Sequence, residues 1–193
     1  MLNTGGPVLT PWAGQVKGII EAWYPGQEAG NALARVLYGD VDPGVDKTVT
    51  FPEGVMVGYR HYDANAIEPQ FPFGHGLSYT TFSYSGLKAS SKAVQVTVTN
   101  TGDRTGVAVP QLYIGMPSPG VDVRQPPKQL KGYTKVTLAP GASTTVTFPL
   151  SSRPFAYWNE EAKAWKVTDG CYTVMVGPSS RKVTQKGTLG TCQ

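Results

Sequence analysis

No apolar run in these 193 residues approaches the roughly 20 that a membrane-spanning helix needs, so no membrane partner is expected. Histidine and cysteine each occur only twice, as His61 and His75 and as Cys171 and Cys192. A zinc site wants three or four such ligands at suitable spacing, and neither pair has a third ligand in place. No metal and no cofactor is therefore expected. No glycine-rich loop precedes a helix in the pattern that cradles phosphate. No basic region followed by an apolar core heads the chain, so no secretion signal is read in it. Charged residues are sparse at 16% against 40% hydrophobic, the composition of a folded protein and not of a disordered one.

What is abundant is punctuation. There are 23 glycines and 16 prolines, about a fifth of the chain, as expected where many short strands are joined by tight turns. Charge is uneven: residues 1–77 carry a net −4 and residues 78–193 a net +8. A basic half invites a nucleic-acid or anionic-polysaccharide reading. Its lysines and arginines, however, mostly stand singly between strand residues, as on solvated strand faces and protected sheet edges. No nucleic-acid partner is expected.

Two helices are predicted early, over 12–20 from the stripe Trp12, Val16, Ile19 and Ile20, and over 27–38 with Leu33, Val36 and Leu37 inward and Gly39 as the stop. Strand stubs are predicted at 1–3 and 22–24. So few strands cannot make a parallel sheet covered on both faces, so this part reads as the tail of a larger α/β domain. From Ser78 onward the pattern becomes short alternating strands. Val94, Val96 and Val98 alternate with Gln95, Thr97 and Thr99 before a turn at Asn100-Thr101-Gly102-Asp103. Further strands are predicted at 107–114, 133–138, 144–150, 155–158, 165–167, 171–176 and 183–189. Pro110 marks 107–114 as an edge strand or a bulge, and 133–138 and 144–150 read as a hairpin-like pair. The count suits an immunoglobulin-like or fibronectin type III-like sandwich. The expected fold is mainly β, such a sandwich preceded by a small α/β remnant.

In residues 171–176 the pleat puts Tyr172, Val174 and Val176 on one face and Cys171 on the other. A tail returning along that second face would bring Cys192 to Cys171. Two free thiols are the alternative; the disulfide is preferred, and it implies an oxidising, extracellular setting.

The stretch Phe71-Pro72-Phe73-Gly74-His75-Gly76-Leu77-Ser78-Tyr79-Thr80-Thr81-Phe82 joins the two architectures. With Leu2-Asn3-Thr4-Gly5-Gly6-Pro7-Val8 and Glu21-Ala22-Trp23-Tyr24-Pro25-Gly26-Gln27-Glu28 before it, and Asn100-Thr101-Gly102, Leu130-Lys131-Gly132-Tyr133 and Leu138-Ala139-Pro140-Gly141 after it, the chain resembles the C-terminal end of a glycoside hydrolase family 3 enzyme of the β-glucosidase type. The resemblance implies an organisation of 1–44 as the tail of the α/β domain, 45–77 as a linker wrapping onto the sandwich, and 78–193 as the fibronectin type III-like domain. It departs from the family in a shortened connection between Gly39 and Glu53, where a usual strand is either lost or replaced by 48–52.

Retaining glycosidases need two carboxyl groups flanking the scissile bond. Most of the 13 acidic residues sit in turns, at a hairpin tip or in the first turn of a helix; Glu21, Glu53, Asp63 and Glu68 remain unassigned. The resemblance implies a nucleophilic Asp in an N-terminal barrel and an acid/base Glu earlier in the α/β domain, and nothing here matches either, so no catalytic residue is expected. His75, between two glycines, reads as a polar residue fixing a crowded turn. Tyr59, Arg60, Tyr62 and Asp63 are candidates for a sugar cleft, the preferred alternative being a cluster that pins the linker to its neighbour. Trp158 and Trp165 are candidates for a sugar-stacking platform, the commoner role being sandwich core.

Two functions follow. The favoured one is the structural, accessory C-terminal part of a secreted retaining β-glucosidase-type hydrolase, inactive by itself, whose partners are the enzyme's catalytic domains or a second copy of the chain. The other is a stand-alone carbohydrate-binding or adhesion module that takes oligosaccharide.

Overall fold

The computed structural model describes residues 11–17, 19–20, 29–40, 53–117 and 124–192. They fall into two compact units, Met1–Phe51 and Pro52–Gln193. No helix among the described residues is long and apolar enough to cross a membrane.

In the first unit the helix expected over 12–20 is not formed. A single 3-10 turn at Ala13–Gln15 replaces it, and Trp12, Val16 and Ile19 stay exposed. Gly14 and Gly18, each costing about 1 kcal/mol in a helix interior, outweigh the apolar stripe, and the β-branched Val16, Ile19 and Ile20 add to the penalty. Helix α1 (Ala29–Leu37) does form. It ends as the sequence indicates: Asp40 N–H bonds the Arg35 carbonyl at 2.8 Å and Gly39 N–H the Val36 carbonyl at 3.3 Å, the paired bonds of a left-handed stop. Leu33 and Val36 are half-buried, but Leu37 is exposed rather than inward. The strand stubs at 1–3 and 22–24, the connection at 41–52, and Glu21, Glu28, Asp42, Asp46 and Asp122 lie outside the described residues.

The second unit is the β-sandwich. Its strands are β1 (Phe82–Ala89), β2 (Ala93–Asn100), β3 (Gly106–Ala108), β4 (Gln111–Gly115), β5 (Gln129–Tyr133), β6 (Val136–Leu138), β7 (Ser143–Pro149), β8 (Ala156–Asn159), β9 (Ala164–Val167), β10 (Cys171–Gly177) and β11 (Gln185–Gly190). One sheet runs β1-β2-β7 and faces a second running β11-β10-β4-β5; β3-β6 and β8-β9 are separate pairs. Val94, Val96 and Val98 of β2 meet Leu112 and Ile114 of β4 and Val174 and Val176 of β10 in the core, all sealed from solvent. Each such side chain contributes roughly 1.5–3 kcal/mol. Near the start of β10, Tyr172 turns its hydroxyl back to donate to the Thr168 carbonyl, a corner device of such sandwiches. Burial pushes that hydroxyl's pKa up, which keeps it a donor.

Three features differ from expectation for identifiable reasons. Strand β1 has no counterpart in the predicted set because its inward phase slips midway: Phe82 and Tyr84 point in, then Leu87 and Ala89. The slip is a bulge between Ser85 and Lys88, where Gly86 adopts φ 63°. Pro110 does not sit within one edge strand; it divides the predicted 107–114 into β3, paired with β6, and β4, central in the four-stranded sheet. The expected hairpin of 133–138 with 144–150 is also absent. The Ala139-Pro140-Gly141-Ala142 turn is made, with Ala142 N–H on the Ala139 carbonyl at 3.0 Å, but it passes the chain from β6 to β7 in another sheet.

Asn100 closes this corner. It is fully buried at the end of β2, and its side chain accepts from the Thr80 hydroxyl (2.7 Å) and Gly102 N–H (3.1 Å). It donates to the Arg104 (2.7 Å) and Leu138 (2.9 Å) carbonyls, so all its capacity is used.

Candidate functional site

Every residue of β4 is buried, Tyr113 included, although alternate side chains of a strand point to opposite faces. The outer face of the four-stranded sheet is therefore covered, and residues 53–77 cover it. Helix α2 (Tyr59–Ala64) lays Tyr59 against Tyr113, edge to face at 6.0 Å, and against Phe73, stacked at 4.8 Å. The Tyr59 hydroxyl accepts from Leu130 N–H at 2.8 Å, tying the helix to β5. Gln111 donates to the Pro178 carbonyl at 2.8 Å and accepts from the Tyr113 hydroxyl, while Ser180 N–H bonds the Phe73 carbonyl at 2.8 Å. Burial, with Tyr59 and Asp63 nearby, raises the Tyr113 pKa well above that of an ordinary phenol, so it remains a hydrogen-bond donor.

Asp63 anchors the same helix by charge. Its carboxylate is 4% exposed and lies 2.6 Å from Lys128 Nζ and 3.0 Å from Arg181 Nε. Arg181 also lies 3.7 Å from Glu68 and donates to the Ile67 carbonyl at 2.6 Å. Beside this cluster is a cavity of about 410 Å³ lined by Tyr59, Tyr62, Asp63, Phe71, Phe73 and Arg181. Its walls are aromatic, and its charged groups are already engaged with one another. Such a carboxylate, held between two cations, is placed to clamp α2 to the sandwich.

Of the sequence candidates, Tyr59, Tyr62 and Asp63 come together here. Arg60 does not line the cavity; its guanidinium lies 3.5 Å from the Val55 carbonyl and 6.0 Å from the centre of the Tyr59 ring. His75 is exposed; its backbone N–H bonds the Pro72 carbonyl at 2.9 Å and its ring meets Phe71 at 5.5 Å. Lys128 and Arg181, the partners of Asp63, were not among the candidates. The signal that could have found them was indirect: Asp63 was an unassigned carboxylate in an aromatic stretch, which demands a cation somewhere.

Trp158 and Trp165 are not sandwich core. They stand opposite each other on the β8–β9 hairpin, ring centroids 5.4 Å apart at 62°, and are 44% and 47% exposed. The physical reason is that β8 and β9 form a separate pair outside both main sheets. The Arg153 guanidinium lies 3.3 Å over the Trp165 ring.

Cys171 and Cys192 are joined, tying the start of β10 to the segment after β11. Among the described residues, no three of His, Cys, Asp and Glu gather where a metal ion could bind.

Residues 1–79 match the glycosyl hydrolase family 3 C-terminal domain and residues 108–180 the fibronectin type III-like domain. The thermostable beta-glucosidase B of Acetivibrio thermocellus is 41% identical over 96% of this chain and 28% of its own length. An exo-alpha-(1->6)-L-arabinopyranosidase of Bifidobacterium breve is 40% identical over the same shares. Among solved structures, a beta-glucosidase from Streptomyces venezuelae in complex with D-glucose superposes with a TM-score of 0.72 at 37% identity, covering 98% of this chain and 28% of that one. The chain thus spans between a quarter and a third of the length of the relatives it matches.

Proposed function

This chain belongs to glycosyl hydrolase family 3, carrying that family's C-terminal domain and its fibronectin type III-like domain, and from this premise we propose that it is the structural, accessory part of a retaining β-glucosidase-type hydrolase. It braces the catalytic portion and contributes no catalytic carboxylate. The observation that carries this reading is the fate of the most buried acid among the described residues: Asp63 is committed to Lys128 and Arg181 and fixes α2 to the sandwich. In this reading residues 1–44 are the tail of an α/β domain, 45–77 the linker, and 78–193 the accessory sandwich. Beyond the clamp, Val55, Val57, Phe71 and Leu77 of the linker and Tyr79 just after it remain exposed, apolar residues suited to a neighbouring domain of the same enzyme or a second copy of the chain. The disulfide supports a secreted parent protein. β-Linked glucosides are the substrate class of the whole enzyme.

The test is a graft. The stretch of the Acetivibrio thermocellus beta-glucosidase that matches this chain is deleted, or replaced by it. Deletion is expected to abolish soluble, active enzyme, and the graft to restore it. A deletion variant with full activity and an unchanged melting temperature would remove the bracing role. The exposed Trp158–Trp165 pair favours a second reading, a carbohydrate-binding or adhesion module, in which glycan binding persists without any catalytic part.

A further inference from the structure

The β8–β9 hairpin carries two tryptophans that the sandwich core does not use. Trp158 and Trp165 face each other across its strands, ring centroids 5.4 Å apart and inclined at 62°. Arg153 completes the group, its guanidinium 3.3 Å over the Trp165 ring. The 3-10 turn Arg153–Phe155 leads straight into β8, with Phe155 N–H on the Ser152 carbonyl at 3.1 Å and Ala156 N–H on the Arg153 carbonyl. The base of the arginine is thus fixed beside the hairpin, and the three side chains are contiguous by direct contact.

A cross-strand aromatic pair steadies a hairpin, but that role needs neither the arginine nor an open ring face. Trp158 and Trp165 nevertheless keep nearly half of their surface exposed, on the order of 200 Å² together. A stable protein interface takes roughly 800 Å² per partner, so the patch suits the face of a small ring instead. Charge narrows the ligand further. Lys163 and Lys166 on this hairpin are offset by Glu160 and Glu161, so no field of one sign surrounds the rings. Among the described residues no ion pair engages Arg153, and the indole beneath it holds its donor fork in place before a ligand arrives. A neutral sugar uses both parts. The weakly positive C–H edges of a pyranose rest on an indole face, and its hydroxyl oxygens accept from the guanidinium. In β-linked glucose every ring substituent is equatorial, so both ring faces present C–H to the indole.

We propose that Trp158, Trp165 and Arg153 form a binding site for a neutral β-linked glucan. The choice of glucan rests on the reading of the chain as part of a β-glucosidase-type hydrolase. Binding is measured without hydrolysis: a chain that binds no sugar leaves the bracing role standing, and a failed bracing role leaves the site standing.

The experiment is calorimetric titration of the purified 193-residue chain with cellotetraose, maltotetraose and tetragalacturonate at low and high salt. Cellotetraose is expected to bind severalfold more tightly than maltotetraose, whose axial linkage crowds one ring face, and at least about tenfold more tightly than tetragalacturonate. Salt should change its affinity by less than about twofold, since the ligand carries no charge. Trp158→Ala and Arg153→Gln should each weaken cellotetraose about tenfold, for the arginine one charge-assisted hydrogen bond's worth. Both side chains are exposed, so both variants are expected to fold, and melting curves verify this. Trp158→Phe keeps a ring in the hairpin and should retain part of the affinity, which keeps the test open if Trp158→Ala melts early. Absence of cellotetraose binding at millimolar concentration overturns the proposal. So does equal binding of maltotetraose or tetragalacturonate, an affinity indifferent to the Trp158 change, or sedimentation showing that the chain pairs with a second copy through Trp158.

Discussion

Asp63 and Lys128 meet at 2.6 Å, and the carboxylate between Lys128 and Arg181 is almost sealed from water. Removing one partner of a buried ion pair costs roughly 3–5 kcal/mol, because the remaining charge stays desolvated. Arg181 is 28% exposed, so solvent recovers part of this. Asp63→Asn is expected to lower stability by about 3 kcal/mol in urea unfolding. Asp63→Leu combined with Lys128→Met should cost less than the sum of the two single changes, since the lysine charge is not left behind without its carboxylate, while Arg181 keeps Glu68 at 3.7 Å. Additive losses would show that the pair is not coupled.

Asn100 is the polar counterpart. Asn100→Ala strands the Thr80 hydroxyl and the carbonyls of Arg104 and Leu138, at roughly 1–3 kcal/mol for each buried group left unpaired. A loss of about 3 kcal/mol or more is expected from denaturant titration. A loss below about 1 kcal/mol would mean that water enters and replaces the side chain.

Lys131 gives a pH signature. Its pKa is lowered by burial from 10.5 to about 8 in the folded chain, so between those values the unfolded chain holds a proton that the folded chain has released. Stability therefore rises with pH across that window, and the penalty is fully present below pH 8. Lys131→Met is expected to melt higher than the native chain at pH 7, with the advantage shrinking towards pH 10. A constant difference across the window would refute the lowered pKa.

The Cys171–Cys192 bond closes a loop of sequence separation 21. Replacing both cysteines with serine is expected to reduce stability by roughly 3 kcal/mol while leaving the strand content unchanged in circular dichroism. Mass spectrometry of oxidatively folded native chain should find no free thiol.

Much of the sandwich is legible in the sequence because Val94, Val96 and Val98 alternate without interruption and because Pro and Gly mark the turns. Where alternation is broken by a bulge at Gly86, β1 is hidden. Where a proline lets the chain change sheets, at Pro110, one apparent strand is really two. Local pattern also overstates 12–20, since an apolar stripe carries no information about the two glycines' cost. The candidate site is less legible, for a different reason. Tyr59 and Asp63 are visible as residues that need partners, but Leu130, Lys128 and Arg181 are far off in sequence, and only the folded sheet brings them to α2. The exposure of Trp158 and Trp165 depends in the same way on β8 and β9 pairing apart from the main sheets.

The most direct measurement is hydrolysis of a chromogenic β-glucoside by the purified chain alone. An accessory part without catalytic carboxylates is expected to release no product above buffer. Turnover that survives stringent purification and is abolished by changing one of the chain's own carboxylates, Glu53, Asp63 or Glu68 among them, would contradict it.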